Sequence, residues 1–450
     1  MDTRPRRVAG LALAFFLAAC TAQVAAPRPS DTPAASASPT PRVNLSNDTL
    51  YVRSLTNSAA SAVIVLDAHT GRTMQTYPDA VMSPDRKTLF WMARAGGATQ
   101  TIVHVVDVTN ARELRSFPVD GNLIPATVEA GRGVVTPQGD HLVLTNSPYR
   151  TEAGWITKVV LVDTTTGKVD AATELKGEVT YGFAAIAPDA RSLLVNQYGE
   201  GSTGLRIFDT ASGTLLPAGA LGAAPARSQN GFRSAGVLSP DGRWLFSIDA
   251  GDLLAYGPTD TPFVLAVDLV GKRAQRIALP IEQKTWDFEK YLLWSLAVTP
   301  DGTGVYAVNP ALGVIDELDV RAMRVRRTAQ ITVSAAADAR LVALWQALFP
   351  AADAKRYITG GAVLSPDGRT IYAAGMKGVA VIDRETLGSR MWETTHEFDH
   401  LALAPDGARL YATSNTDSKI MIIDTRDGAS LGTLATPSYA QAILRIDPRD

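Results

Sequence analysis

The chain has 450 residues with 43 basic and 45 acidic side chains, and this balance, with no long basic run, argues against a nucleic-acid partner. One cysteine in the whole chain excludes an intrachain disulfide and a thiolate metal cluster. Stability must therefore come from a large apolar core, and the length allows two or three ordinary domains or one long repeat array.

The N-terminus reads as an export signal. Arg4, Arg6 and Arg7 form a positive region, followed by an apolar run from Val8 to Ala19. That run is shorter than the roughly 20 residues a membrane-spanning helix needs. It ends in Leu17-Ala18-Ala19-Cys20, which resembles the lipobox of bacterial lipoproteins. The resemblance implies cleavage of residues 1–19, lipidation of Cys20 and a cell-membrane location on the extracytoplasmic face. Residues 20–48, rich in Pro, Ala and Ser, have too little bulky apolar surface to offset ordering entropy and read as a tether.

From residue 49 onward the sequence repeats. Segments such as "VMSPDRKTLFWMA", "VLSPDGRWLFSID" and "ALAPDGARLYATS" place turn prolines at 84, 137, 188, 240, 300, 366 and 405, and a degenerate copy ends at Pro448. Proline presets φ, aspartate bonds nearby amides and glycine accepts positive φ, so each segment predicts a tight turn between antiparallel strands. A second hairpin follows in each unit, with an apolar run ending in Asp67, Asp107, Asp163, Asp209, Asp268, Asp319, Asp383 or Asp424. Glycine stands four residues on in four copies, at 71, 167, 213 and 428, where a short loop needs a left-handed residue.

Two hairpins per unit make a four-stranded antiparallel blade, and repeated blades make an all-β propeller over 49–450. The count favours eight blades over seven. The first unit lacks its innermost strand, and "AQAILRI" near the C-terminus supplies one, so the two chain ends close the ring and leave no open sheet edge. The units resemble the YVTN-type, WD40-like repeats of exported bacterial propellers. That resemblance implies a fold shared by binding modules, lactonases and oxidoreductase subunits, not one activity.

"HEFDH", residues 396–400, has the letters of the zinc-protease signature. Two such histidines grip one ion only when a helix puts them on one face. Aligned on the turn proline, His400 enters an inner strand, where residues four apart lie about 13 Å from each other. The zinc reading fails on this geometry, and no metal or other cofactor is expected. G-x-S-x-G, P-loop and G-x-G-x-x-G patterns are also missing from the sequence.

Counting back from each proline finds the mouth of the central channel. Five residues back stand Asp79, Arg132, Ser295 and His400 among others, and seven back stand Tyr77, Tyr181 and Arg233. Arg132, Tyr181, Arg233 and His400 are the candidate ligand-binding residues of this rim. The aspartates that open the second hairpins read as turn caps, and Trp91 and Trp244 as packing between blades.

The connections between hairpins, such as "NSPYRTEAGWIT" and "DAGDLLAYGPTDTPF", are long, whereas the turns within hairpins are short. A four-stranded meander puts all the long connections on one face, the expected binding face. In the insertion near 334–357, apolar residues at 341, 344, 345, 348 and 349 predict an amphipathic helix. The expected function is that of a tethered, monomeric module binding a protein or a small polar ligand. An enzyme of lactonase-like or oxidoreductase-subunit type, working at the funnel, is the alternative.

Overall fold

The computed structural model describes residues 47–55, 61–94, 99–126, 134–199, 204–222, 231–233, 236–252, 262–281, 290, 293–332, 361–375, 378–394, 396–414 and 418–448. Residues 1–46, with the predicted signal, Cys20 and most of the tether, and the predicted helix near 334–357 lie outside the described residues.

Eight antiparallel sheets follow one another along the chain. Blade 1 holds Thr49–Leu55, Ser61–Asp67 and Thr73–Pro78, and its innermost strand is Tyr439–Asp447 from the far end of the sequence. That strand pairs with the first from Thr49↔Asp447 to Leu55↔Tyr439, with two register shifts. Blades 2 to 8 are each continuous in sequence, and the last ends with Ser430–Ala435. The fold is thus an eight-bladed β-propeller closed by its two ends, as the repeat count predicts. In blade 3 the second strand is broken between His141–Thr145 and Tyr149–Thr151, and in blade 5 the innermost strand is broken between Gly231–Arg233 and Val237–Leu238.

Alternation of side chains puts apolar residues on both flat faces of each blade. The core is accordingly not central but divided among the seams. Phe90, Met92, Val103 and Val105 of blade 2, for example, meet Leu142, Leu144, Val160 and Val162 of blade 3. Comparable clusters fill the other seams, including that between blades 8 and 1, where Ile420 and Ile422 meet Leu50 and Val52. Trp91 and Trp244 pack against two of these clusters, in the role the sequence predicts. A polar clasp reinforces the closing seam: buried Asp48 accepts hydrogen bonds from Arg409 Nε and Nη2, both at 3.2 Å, and from the Tyr411 hydroxyl.

The turns explain the repeat pattern at atomic level. In each of the seven proline turns the residue two after proline donates its N–H to the residue before proline and has positive φ. Glycine fills that position in five turns, whereas Arg86 (φ 61°) and Ala190 (φ 56°) adopt it in the other two. In the second hairpins, Asp67, Asp107, Asp163, Asp209, Asp268, Asp319, Asp383 and Asp424 each accept a backbone N–H two or three residues on. The position four after aspartate is left-handed in every copy. Gly71, Gly167, Gly213 and Gly428 hold it as predicted, and Ala111, Lys272, Met323 and Leu387 hold it without glycine.

Candidate functional site

The antiparallel order sorts the connections by face. Turns between first and second strands, and between third and fourth, lie on one face; connections from second to third strand, and from blade to blade, lie on the other. The first set is the tight-turn face and the second the long-loop face.

On the tight-turn face the turn aspartates are consumed by structure. Ser239 donates to Asp241 at 2.5 Å and Thr299 to Asp301 at 2.5 Å, while the same aspartates accept backbone N–H groups within their turns. Hydrogen bonding holds the carboxyls of Asp301, Asp209 and Asp424 below the usual range. Asp301 is pushed down to about 2, chiefly by Thr299, Asp209 to about 2, chiefly by Lys272, and Asp424 to about 2, chiefly by Arg426. Arg243 clasps the buried Asp268 carboxylate through Nε at 3.1 Å and Nη2 at 2.9 Å.

Of the four rim candidates, Tyr181 and His400 are buried. Arg132 lies outside the described residues. Tyr181 packs into the seam between blades 3 and 4, and burial raises its phenol pKa against the opposing pull of Arg206. Arg233 is in strand, its backbone registered with Asp249. His400, only 3% exposed, opens the strand His400–Leu403 opposite Thr413. Residues 396–399 approach that strand without helix, so the geometry that a zinc signature needs is not formed there.

A cleft of about 300 Å³ opens elsewhere on the long-loop face, where blade 3 meets blade 2. Arg94, Asn122, Ser147, Tyr149, Lys158 and Glu174 line it, and Leu123 at its floor belongs to the apolar cluster of that seam. Local chemistry positions each group. Arg94 ends the strand Thr88–Arg94; its Nη2 pairs with the Asp79 carboxylate, and its Nη1 donates to Asn122 Oδ1 at 3.3 Å. Asp79 is 7% exposed and left-handed at φ 43°, a conformation that favours glycine or asparagine. Asp79 adopts this conformation at the start of blade 2, and its carboxylate orients Arg94.

Lys158 approaches from the other side. It lies in Gly154–Asp163, and its Nζ donates to the Asp120 carbonyl at 2.9 Å. Asn146, in the break of the second strand, accepts the Lys158 backbone N–H at 2.5 Å through Oδ1. Glu174 stands opposite Lys158 in the strand register, with its carboxylate 2.9 Å from Lys176 Nζ. Sequence reading passed over this cleft because it counted from inner strands, whereas the cleft is built from second and third strands and a link. The count did reach Asp79, whose partner Arg94 carries the charge into the cleft wall. The break "NSPY" in an otherwise regular second strand was the remaining signal.

No family model matches the sequence, and no curated protein matches it. Solved propellers are similar to it in fold. Dihydro-heme d1 dehydrogenase NirN, solved in complex with DHE, is 14% identical, with 90% of this chain and 78% of that one covered and a TM-score of 0.48. AztD from Citrobacter koseri is 11% identical over 90% of this chain and 98% of its own, with a TM-score of 0.45. The periplasmic gluconolactonase PpgL of Pseudomonas aeruginosa is 16% identical over 90% and 99%, with a TM-score of 0.44. At these identities the likeness concerns fold alone.

Proposed function

We propose that this protein is a membrane-tethered, extracytoplasmic binding module that takes a small polar ligand on the long-loop face of its propeller. The observation that carries the reading is the blade 2–3 cleft. It gathers two cations, two amides, two hydroxyl-bearing side chains and one carboxylate at one opening, while Asp241 and Asp301 on the opposite face are committed to their turns. A concave site with a few convergent polar groups over an apolar floor is the usual form of a small-ligand site. At about 300 Å³ the cleft suits a metabolite-sized solute and not a peptide.

The tether supports the same reading from the sequence. Acylation at Cys20 would hold the body at a membrane surface, since two or more chains anchor a protein that one holds only marginally. Replacement of Cys20 by Ser should move the protein to the soluble exported fraction with its fold intact; unchanged membrane association contradicts the tether. A thermal-shift screen of small solutes against the full chain tests the binding role. The reading predicts hits whose stabilisation disappears when Arg94 and Asn122 are both replaced by Ala, and hits indifferent to those changes contradict it.

A further inference from the structure

We infer that the ligand of the blade 2–3 cleft is a small hydroxy-carboxylate monoanion, with Lys158 and Arg94 receiving the carboxylate and Glu174 accepting a hydroxyl. This inference rests on the binding role proposed above and gives it a chemical class.

Two cations sit close together at the cleft. Lys158 Nζ bonds to the Asp120 carbonyl at 2.9 Å, and Arg94 Nη1 bonds to Asn122 Oδ1 at 3.3 Å. Their anchors are two residues apart in one turn, and consecutive Cα atoms are about 3.8 Å apart. Both charges therefore flank Gly121 at the same edge of the cleft. A Cβ on Gly121 would lie 3.0 Å from Lys158 Nζ, so the glycine, at φ 116°, gives the ammonium its room. Lys158 has a carbonyl and no carboxylate on its ammonium among the described residues. Two like charges held at one edge, one of them without a counter-ion, attract an anion.

Hydrogen-bond donors outweigh charged acceptors along the cleft. An ammonium has three N–H groups, and one of those on Lys158 is used within the protein. Asn122 spends its oxygen on Arg94, which leaves its NH2 group to donate. Ser147 and Tyr149 contribute hydroxyls at the same wall. Against these stands one charged acceptor, Glu174. A donor-rich wall fits a carboxylate, with the Lys158 ammonium as its main contact and the Arg94 guanidinium, held by Asp79 and Asn122, beside it. Glu174 adds selectivity: Lys176 Nζ holds its Oε2 at 2.9 Å, its other oxygen accepts a hydrogen bond from a ligand hydroxyl, and the carboxylate disfavours a second negative charge beside it, so a monoanion bearing hydroxyls fits better than a phosphate dianion.

The test is calorimetric titration of the full chain with three probes: L-threonate, its neutral counterpart threitol, and inorganic phosphate. Threonate should bind, threitol should show no measurable binding, and phosphate should bind more weakly than threonate. Lys158→Met should weaken threonate about tenfold with the melting temperature kept, and Lys158→Arg should retain most of the affinity. Glu174→Gln changes an exposed side chain and serves as an independent variant; it should strengthen phosphate about tenfold by removing the repulsion. Threitol binding as well as threonate, or threonate binding unaffected by Lys158→Met, overturns the assignment. Failure of all three probes overturns it as well, while hits from the solute screen that depend on Arg94 and Asn122 would still uphold a binding role.

Discussion

The two faces of this propeller are made from the same four-stranded unit, yet they use their polar groups in opposite ways. On the tight-turn face, Asp209, Asp301 and Asp424 are hydrogen-bonded until their carboxyls titrate near 2, and Arg243 is locked onto buried Asp268. On the long-loop face, Lys158 spends one hydrogen bond on a carbonyl, and Ser147 and Tyr149 line an open cleft. A group that is satisfied within its own turn contributes to folding and has little left for a ligand. The contrast separates what repeats for structural reasons from what the seam between blades 2 and 3 adds.

The comparison can be broken most severely at the ring closure, which belongs to neither face. Deleting residues 438–450 removes the strand that pairs with Thr49–Leu55. Unpaired buried backbone groups cost about 1–3 kcal/mol each, so the loss of several rivals the stability of a domain. The truncated protein should aggregate or melt far below wild type in calorimetry.

The next largest effect is on the tight-turn face. Arg243→Ala leaves the Asp268 carboxylate with Arg273, at 3.4 Å, as its remaining ion-pair partner among the described residues. We expect a loss of about 2 kcal/mol in denaturant unfolding, short of the full cost of orphaning a buried charge because Arg243 is half-exposed and Arg273 stays.

Acid titration then separates the turn carboxyls from a buried one. Carboxyls near 2 in the folded state and about 3.9 when unfolded stabilise fully above about pH 4, and that contribution fades as pH falls toward 2. Asp316 behaves in the opposite sense. It faces the seam between blades 5 and 6, accepts from Thr328 at 2.5 Å through Oδ1, and burial pushes its carboxyl up to about 6. The folded state therefore binds the extra proton, and stability falls as pH rises from about 4 to 6. Asp316→Asn should remove that decline, on the order of 2 kcal/mol, while the loss below pH 4 persists. Thermal melts across pH 2 to 7 would read both, on the scale about 3.9 to 6 set by these groups.

The smallest effect concerns left-handed residues that are not glycine. Ala111 and Met323 occupy positive φ at 47° and 49°. Replacing either by Gly relieves the steric cost but adds unfolded-state entropy, so a net gain of about 0.5 kcal/mol or less is expected in chemical denaturation.

This last case shows how far the sequence could be read. Proline turns, aspartate-capped hairpins and the closing strand were legible because one local requirement recurs in every unit. The same rule located Gly71 and Gly428, but it could not see that Ala111, Lys272, Met323 and Leu387 adopt the same φ, since there the surrounding fold overrides the residue's own preference. The cleft was less legible still. Arg94 and Lys158 are far apart in sequence and on different blades, and only packing against one turn brings them together. Counting from inner strands points to Tyr181 and His400, both buried, and does not reach the cleft.

One measurement bears most directly on the division between faces. Threonate affinity is compared among wild type, a cleft pair, Lys158→Met with Ser147→Ala, and a control pair of exposed cations on the tight-turn face, Lys87→Met with Arg369→Met. Each pair removes positive charge from the surface, and equal melting temperatures establish that both variants are folded. The division between faces predicts affinity lost in the cleft pair and unchanged in the control. Equal losses in both pairs, or a loss in the control alone, would contradict it.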